Sequence, residues 1–205
     1  MTTYVINGGD LLKAACSFNL IDIFAHGANC WSTMGAGIAL HIGNNFPALR
    51  EVDANDPRGP EQRLGGMSYA FDHSTGVWGA NLYTQFYPGP NARMPSVISS
   101  VQTLFEQVHE IVEASKDETV YVGLPAIGCG IGGLNLYDVV RQVEALAETL
   151  YEDTRCRVVP VFYIMEVDKF AEDMENLNAL DDDINVVDSE EEIIRVEGVN
   201  NDMRV

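Results

Sequence analysis

Two glycine-rich stretches constrain this chain most, each set between an apolar strand-like run and a helix-like run. The first, Ala25-His26-Gly27-Ala28-Asn29-Cys30-Trp31-Ser32-Thr33-Met34-Gly35-Ala36-Gly37-Ile38-Ala39, follows the apolar run 21–25. It reads as a buried strand, a loop of small and polar residues, and a glycine-opened helix. The second, Leu124-Pro125-Ala126-Ile127-Gly128-Cys129-Gly130-Ile131-Gly132-Gly133, stands between the strand-like run 119–124 and the helix-like run 136–150. Turns of this kind aim backbone N–H groups outward at a helix N-terminus, where an anion binds. Two of them in one small α/β domain can grip the two phosphates of one ligand from opposite sides.

Charge sharpens this reading. The net charge is −19, and the last 40 residues, with 14 acids and 3 bases, carry −11 of it. The remaining 165 residues carry −8, so neither part offers the basic patch that nucleic-acid binding needs. An anionic ligand must then be held by backbone dipoles more than by Lys or Arg. Length and a 46% hydrophobic content suit one domain with a core and a tail. No apolar run approaches the roughly 20 residues of a membrane span, and no membrane partner is expected. The start, Met1-Thr2-Thr3-Tyr4, lacks the marks of a signal peptide. Cys16, Cys30, Cys129 and Cys156 form no CxxC pair and no metal-ligand spacing. They read as reduced thiols, which points to the cytoplasm.

Along the chain, residues 3–7 are β-prone and end in the turn Gly8-Gly9-Asp10; residues 10–15 form a short helical turn. Residues 21–28 are a strand and 34–42 a helix, with Thr33 as N-cap and Gly43 as its stop. Another helix starts near Pro47, and 55–60 is a polar loop. Residues 64–71 and 77–83 pair as strands about a turn. Helical spacing of apolar residues predicts helices over 96–114 and 136–150, the second capped by Asn135. The strand 119–124 is buried. Residues 157–164 form a last strand, placed at an edge by Pro160, and 167–177 one more helix. Residues 178–205 read as an acidic, flexible tail beyond a domain of 1–177, although 186–187 and 193–194 are apolar enough for short strands. The alternation implies an α/β fold with a central, mostly parallel sheet covered on both faces.

Gly9-Asp10-Leu11-Leu12, Ala25-His26, Met34-Gly35-Ala36-Gly37-Ile38-Ala39 and Pro125-Ala126-Ile127-Gly128-Cys129-Gly130 stand in the order of the macro-domain signature. Over residues 4–164 the chain resembles that family. It is most similar to the branch of the ADP-ribose 1''-phosphate phosphatases and terminal ADP-ribose glycohydrolases. The resemblance implies a three-layer α/β/α macro-domain fold with a mixed, mostly parallel sheet. It also implies an ADP-ribose cleft without metal or organic cofactor. Asp10 would accept from the adenine amino group, and Leu11 would offer its N–H to the same ring. Gly35, Ala36, Gly37 and Ile38 would wrap the diphosphate from one side. Pro125, Ile127, Gly128, Cys129, Gly130, Ile131 and Gly132 would wrap it from the other. His26 and Asn29 would face the distal ribose, and Tyr163 or Phe162 would stack on adenine.

Without the resemblance these residues have plainer readings. Asp10 is an N-cap, His26 a core histidine, Cys129 a small packing residue, and Trp31 and Met34 wall or core. The chain also departs from the glycohydrolase pattern: Gln85 stands at the lysine nucleophile and Gly132 at the loop aspartate. Lysine-mediated glycohydrolysis is therefore disfavoured. The leading expectation is a hydrolase that removes phosphate from ADP-ribose 1''-phosphate, with His26 as general acid or base and Asn29 orienting. The alternative is a binding module that captures ADP-ribose, or a related nucleotide signal, without cleaving it. A nicotinamide-dinucleotide enzyme is disfavoured, since no GxGxxG follows the first strand.

Overall fold

The computed structural model describes residues 2–17, 20–180 and 183–198. In chain order the elements are β1 (Thr3–Asn7), α1 (Leu11–Ala15), β2 (Ile23–Asn29), α2 (Gly37–Asn45), α3 (Pro47–Ala54) and α4 (Pro60–Arg63). There follow β3 (Met67–Asp72), β4 (Val77–Gln85), α5 (Met94–Ile111), β5 (Thr119–Pro125), α6 (Leu136–Thr154) and β6 (Arg157–Ile164). A short 3-10 turn (Val167–Phe170), α7 (Ala171–Leu180), β7 (Ile184–Val187) and α8 (Glu190–Glu197) complete the chain. The seven strands form one sheet in the order β3-β4-β2-β5-β6-β1-β7. The β3–β4 hairpin is antiparallel, and the other neighbours pair in parallel. This is the expected three-layer α/β/α arrangement with a mixed, mostly parallel sheet.

Side-chain alternation builds the two outer layers. On β6, Val158 and Phe162 join the cluster under α5, α6 and α7, which includes Val101, Phe105, Val140 and Val143. Val159, Val161 and Tyr163 face the opposite cluster with Leu11, Ile42 and Ile193 from α1, α2 and α8 and Phe46 between α2 and α3. Helix α6 starts as its sequence predicts: Asn135 Oδ1 accepts from the Asp138 N–H at 2.9 Å. Among the described residues no helix is long and apolar enough to cross a membrane.

Three expectations are corrected. Helix α2 begins at Gly37 rather than Met34, because Ala36 is still extended, and Thr33 does not cap it. Gly43 does not stop this helix; it is buried within it, where a Cβ would stand 3.2 Å from Met34. Strand β6 lies inside the sheet despite Pro160. The proline is in register with Val122 of β5, but the ladder to β1 begins only at Val161. The proline thus occupies the one stretch of the strand that lacks a second neighbour, where its missing N–H is tolerated.

The third correction concerns the acidic stretch after residue 177. β7 pairs in parallel with β1, extending the sheet by a strand, and α8 buries Ile193. Tyr4 donates its hydroxyl to Glu197 at 2.8 Å, and Arg157 pairs with Glu197 at 2.9 Å. Apolar residues at 184, 186–187 and 193–194 supply enough burial to order backbone between the acids. Of the expected tail, residues 181–182 and 199–205 lie outside the described residues.

Candidate functional site

A cleft of about 810 Å³ opens at the C-terminal ends of the parallel strands. Ligands bind at this end in open α/β sheets. One extremity is built from Asp10 and Leu11 after β1 and Tyr163 on β6; the other from Asn29 at the end of β2 and Thr84 and Gln85 on β4. Between them lie Gly35, Ala36, Gly37 and Ile38 on one wall and Pro125, Ile127, Gly128, Gly130, Ile131 and Gly132 on the other. Sequence positions more than 90 residues apart thus meet across one groove.

The wall at α2 has the chemistry of an anion site. Its N-cap is Ala36, whose side chain cannot accept a hydrogen bond, and no cap bond is made. The first N–H groups of this nine-residue helix are left without a side-chain acceptor at the cleft surface. The facing loop is folded tightly on itself. Leu134 N–H donates to Gly128 O at 3.0 Å, and Gly128 has φ +75°. A Cβ on Gly132 would stand 2.4 Å from Gly128 O and 2.5 Å from Ala92 Cβ. The loop's own closure, as much as the approach of a ligand, excludes any side chain there, including an aspartate.

At the first extremity, Asp10 Oδ1 accepts from the N–H groups of Leu12 and Lys13 and so caps α1. The plainer sequence reading of Asp10 is therefore present in the structure, while the residue also lines the cleft. Tyr163 is nearly buried against Gly9, where a Cβ would meet its ring at 2.9 Å, and its hydroxyl donates to Glu190 on α8. Burial raises the pKa of both Tyr163 and Glu190, so the tyrosine keeps its proton and donates it in this bond. Phe162 points to the other face of the sheet.

Two expected site residues do not line the cleft. His26 is fully buried, and its pKa is pushed down to about 4 by that burial, against the hydrogen bonds to Asn81 and Gly27. Its Nε2 lies 2.8 Å from Asn81 Oδ1, and Nδ1 lies 3.1 Å from Gly27 O. Asn81 Nδ2 already donates to Leu49 O and Ser68 Oγ, both at 3.1 Å, which makes Oδ1 the acceptor and Nε2–H the donor. A neutral, sealed imidazole with its proton committed in this way cannot exchange it with a ligand. The general acid or base role expected of His26 is corrected to a structural one. Cys129 is buried too; its thiol donates to Ile127 O at 3.3 Å, and burial pushes its pKa up to about 12.

Asn29 does line the cleft, but it also holds the turn that follows. Its Oδ1 accepts from Trp31 N–H at 3.0 Å and Thr33 N–H at 3.3 Å, and its Nδ2 donates to Thr33 O at 2.7 Å. Inside that turn Ser32 has φ +55°, and its hydroxyl bonds Asp53 O at 2.8 Å. Asp53, on α3, reaches the cleft wall although it is 1% exposed. Its Oδ1 accepts from Tyr83 Oη at 3.0 Å and from Ser32 at 3.2 Å. Arg63 Nη1 donates to Ser32 Oγ at 2.7 Å and pairs with Asp53 at 3.9 Å. Burial raises the pKa of Asp53, against the lowering by its bonds to Tyr83 and Ser32 and by the charge of Arg63. Ser68 joins Tyr83 to Asn81, so one polar network runs from His26 to Arg63 behind the distal end of the cleft. Sequence reading missed Asp53 and Arg63. The only signal was charge on a short, otherwise ordinary helical segment, which reads as solvated surface. Among the described residues no group of three or more His, Cys, Asp or Glu is placed to hold a metal ion.

No protein-family model matches the chain. The macrodomain of Mycobacterium tuberculosis DarG superposes with a TM-score of 0.59 at 20% identity, covering 80% of this chain and 98% of that one. Thermosipho africanus DarTG in complex with ADP-ribose gives 0.58 at 17% identity, over 80% of this chain and 42% of that one. The fold is that of a macrodomain. The uncharacterized 17.5 kDa protein of the tk-vs intergenic region of Enterobacteria phage T4 is 34% identical over 125 residues, which are 58% of this chain and 75% of the phage protein. This chain belongs to the same family as that phage protein.

Proposed function

We propose that the cleft binds ADP-ribose or a derivative of it. Adenine lies at the Asp10–Tyr163 end, the diphosphate between α2 and the loop 125–132, and the distal ribose at the Asn29–Gln85 end. The observation that carries this reading is the α2 N-terminus, uncapped by any side chain, which faces a second glycine loop across the groove. The DarTG structure solved with ADP-ribose supports the ligand class. The experiment is calorimetric titration of the protein and its Ala36→Asp variant with ADP-ribose. A carboxylate at the N-cap satisfies the orphan N–H groups and repels the diphosphate. Affinity is expected to fall at least tenfold while the melting temperature holds or rises. Saturable binding unaffected by the substitution contradicts the assigned diphosphate position.

Hydrolysis of ADP-ribose 1''-phosphate is the second reading, and Asp53 favours it. The residue lines the cleft wall, and both of its side-chain bonds, from Tyr83 and Ser32, go to Oδ1. A carboxyl group whose proton affinity is raised by burial suits protonation of a leaving ribose oxygen. Asp53→Asn is expected to stop phosphate release while ADP-ribose affinity changes less than threefold. A protein that binds the ester tightly and releases no phosphate is a capture module.

A further inference from the structure

Next to the residues that line the distal end of the cleft, the chain carries two aromatic rings that the core does not use. Trp31 is 50% exposed and Tyr87 58% exposed. Trp31 lies between Asn29 and Thr33, and Tyr87 between Gln85 and Pro88; all four flanking residues line the cleft. The two indole and phenol planes are within 10° of parallel, with centroids 6.0 Å apart. Phe86 meets both edge-on, at 6.1 Å from Trp31 and 4.7 Å from Tyr87. Both backbones are pinned: Trp31 N–H to Asn29, and the N–H and C=O of Tyr87 to the Asn91 side chain at 3.1 and 2.7 Å. Among the described residues no Lys or Arg lies over either ring, whereas Tyr83 carries two and Tyr151 and Phe170 one each.

We infer that Trp31 and Tyr87 form a stacking shelf for a flat, cationic ring carried on the anomeric carbon of the distal ribose, the pyridinium of an oxidised nicotinamide dinucleotide. This deepens the proposed function and rests on the cleft holding the ADP-ribose half. Three observations select the ring. Each ring is carried between two residues that line the distal end of the cleft, so the shelf stands beside that end, within reach of a substituent on that ribose. Aromatic faces are negative and attract a desolvated cation, while a phosphate on the same carbon gains nothing from them. The net charge of −19 repels a polyanionic strand and attracts a positive ring.

The test is calorimetry of the full chain with NAD+, NADH, ADP-ribose and ADP, on wild type, Trp31→Ala and Trp31→Phe. Wild type is expected to prefer NAD+ to NADH. Trp31→Ala is expected to weaken NAD+ about tenfold, within the range of one lost stacking contact, with ADP-ribose and ADP moving less than twofold. Trp31→Phe restores most of the NAD+ affinity. If ADP-ribose binds and Trp31→Ala leaves NAD+ unchanged, the shelf is wrong and the cleft assignment stands. Equal weakening of NAD+ and ADP-ribose means Trp31 acts through its loop, and the inference fails. If neither ligand binds a folded wild type, both readings fail. Quenching of indole fluorescence by a single-stranded oligonucleotide but not by NAD+ overturns the inference in favour of a nucleobase.

Discussion

Acidification tests the placement of His26 directly. The ring meets two opposing influences: full burial, which disfavours the charged form, and two acceptor oxygens, which favour it. Burial wins, and the folded pKa lies near 4 against an ordinary 6.5. Between these values the unfolded chain binds more protons than the folded one. The contribution is therefore intact above pH 6.5 and is lost as the pH falls through 4. Working the linkage from these two values, this one group removes about 2 kcal/mol between pH 7 and 5 and about 3 kcal/mol by pH 4. The many acids of the chain also titrate there, so the measurement is a difference. Urea unfolding of wild type and His26→Gln is compared across pH 7 to 4, and wild type should lose about 3 kcal/mol more. NMR titration of the His26 ring should show no protonation above pH 5. A ring that titrates at 6.5 or higher refutes the argument, because the two acceptors then outweigh burial and the proton becomes exchangeable.

Other perturbations follow from the network and the loops. Tyr83→Phe removes the hydroxyl that Asp53 and Ser68 share and should cost about 1–3 kcal/mol in urea unfolding. Arg63→Met leaves the buried Asp53 without its cation, while Asp56 keeps Arg58, and should cost about 3–5 kcal/mol; a loss below 1 kcal/mol would mean the Asp53 carboxylate finds water instead. Gly132→Ala forces the loop 125–132 apart, so a loss of about 1–3 kcal/mol should come with loss of ADP-ribose binding. Deleting residues 181–205 removes β7 and α8 and the burial of Ile184 and Ile193, about 3–6 kcal/mol at about 1.5–3 per side chain. An unchanged melting temperature would show that this stretch does not stabilise the sheet.

Local signals carried most of the fold. The spacing of Val97, Val101, Leu104 and Val108 on α5 was enough for that helix, as was that of Val139, Val140 and Val143 on α6. The errors arose where tertiary neighbours overrule a local rule. Gly43 is small because Met34 presses on it, and Pro160 is tolerated inside the sheet because the ladder to β1 begins only at Val161. The acidic residues after 177 hide the few apolar ones that complete the sheet. Charge content is a weak guide when only four or five side chains need burying.

For the site, the order and spacing of the glycine stretches determined by themselves that two amide-rich turns stand after parallel strands. That placement is a property of backbone, which glycine content reports. The fate of each side chain was decided only by the tertiary structure. His26 and Asn29 lie on one strand three residues apart, yet one is sealed and the other lines the cleft. Asp53, Arg63 and Tyr83 belong to three separate elements and meet only when α3 and α4 pack beside β4. Chemistry depends on burial and on partners across the fold, and neither is encoded in the neighbours a residue has along the chain.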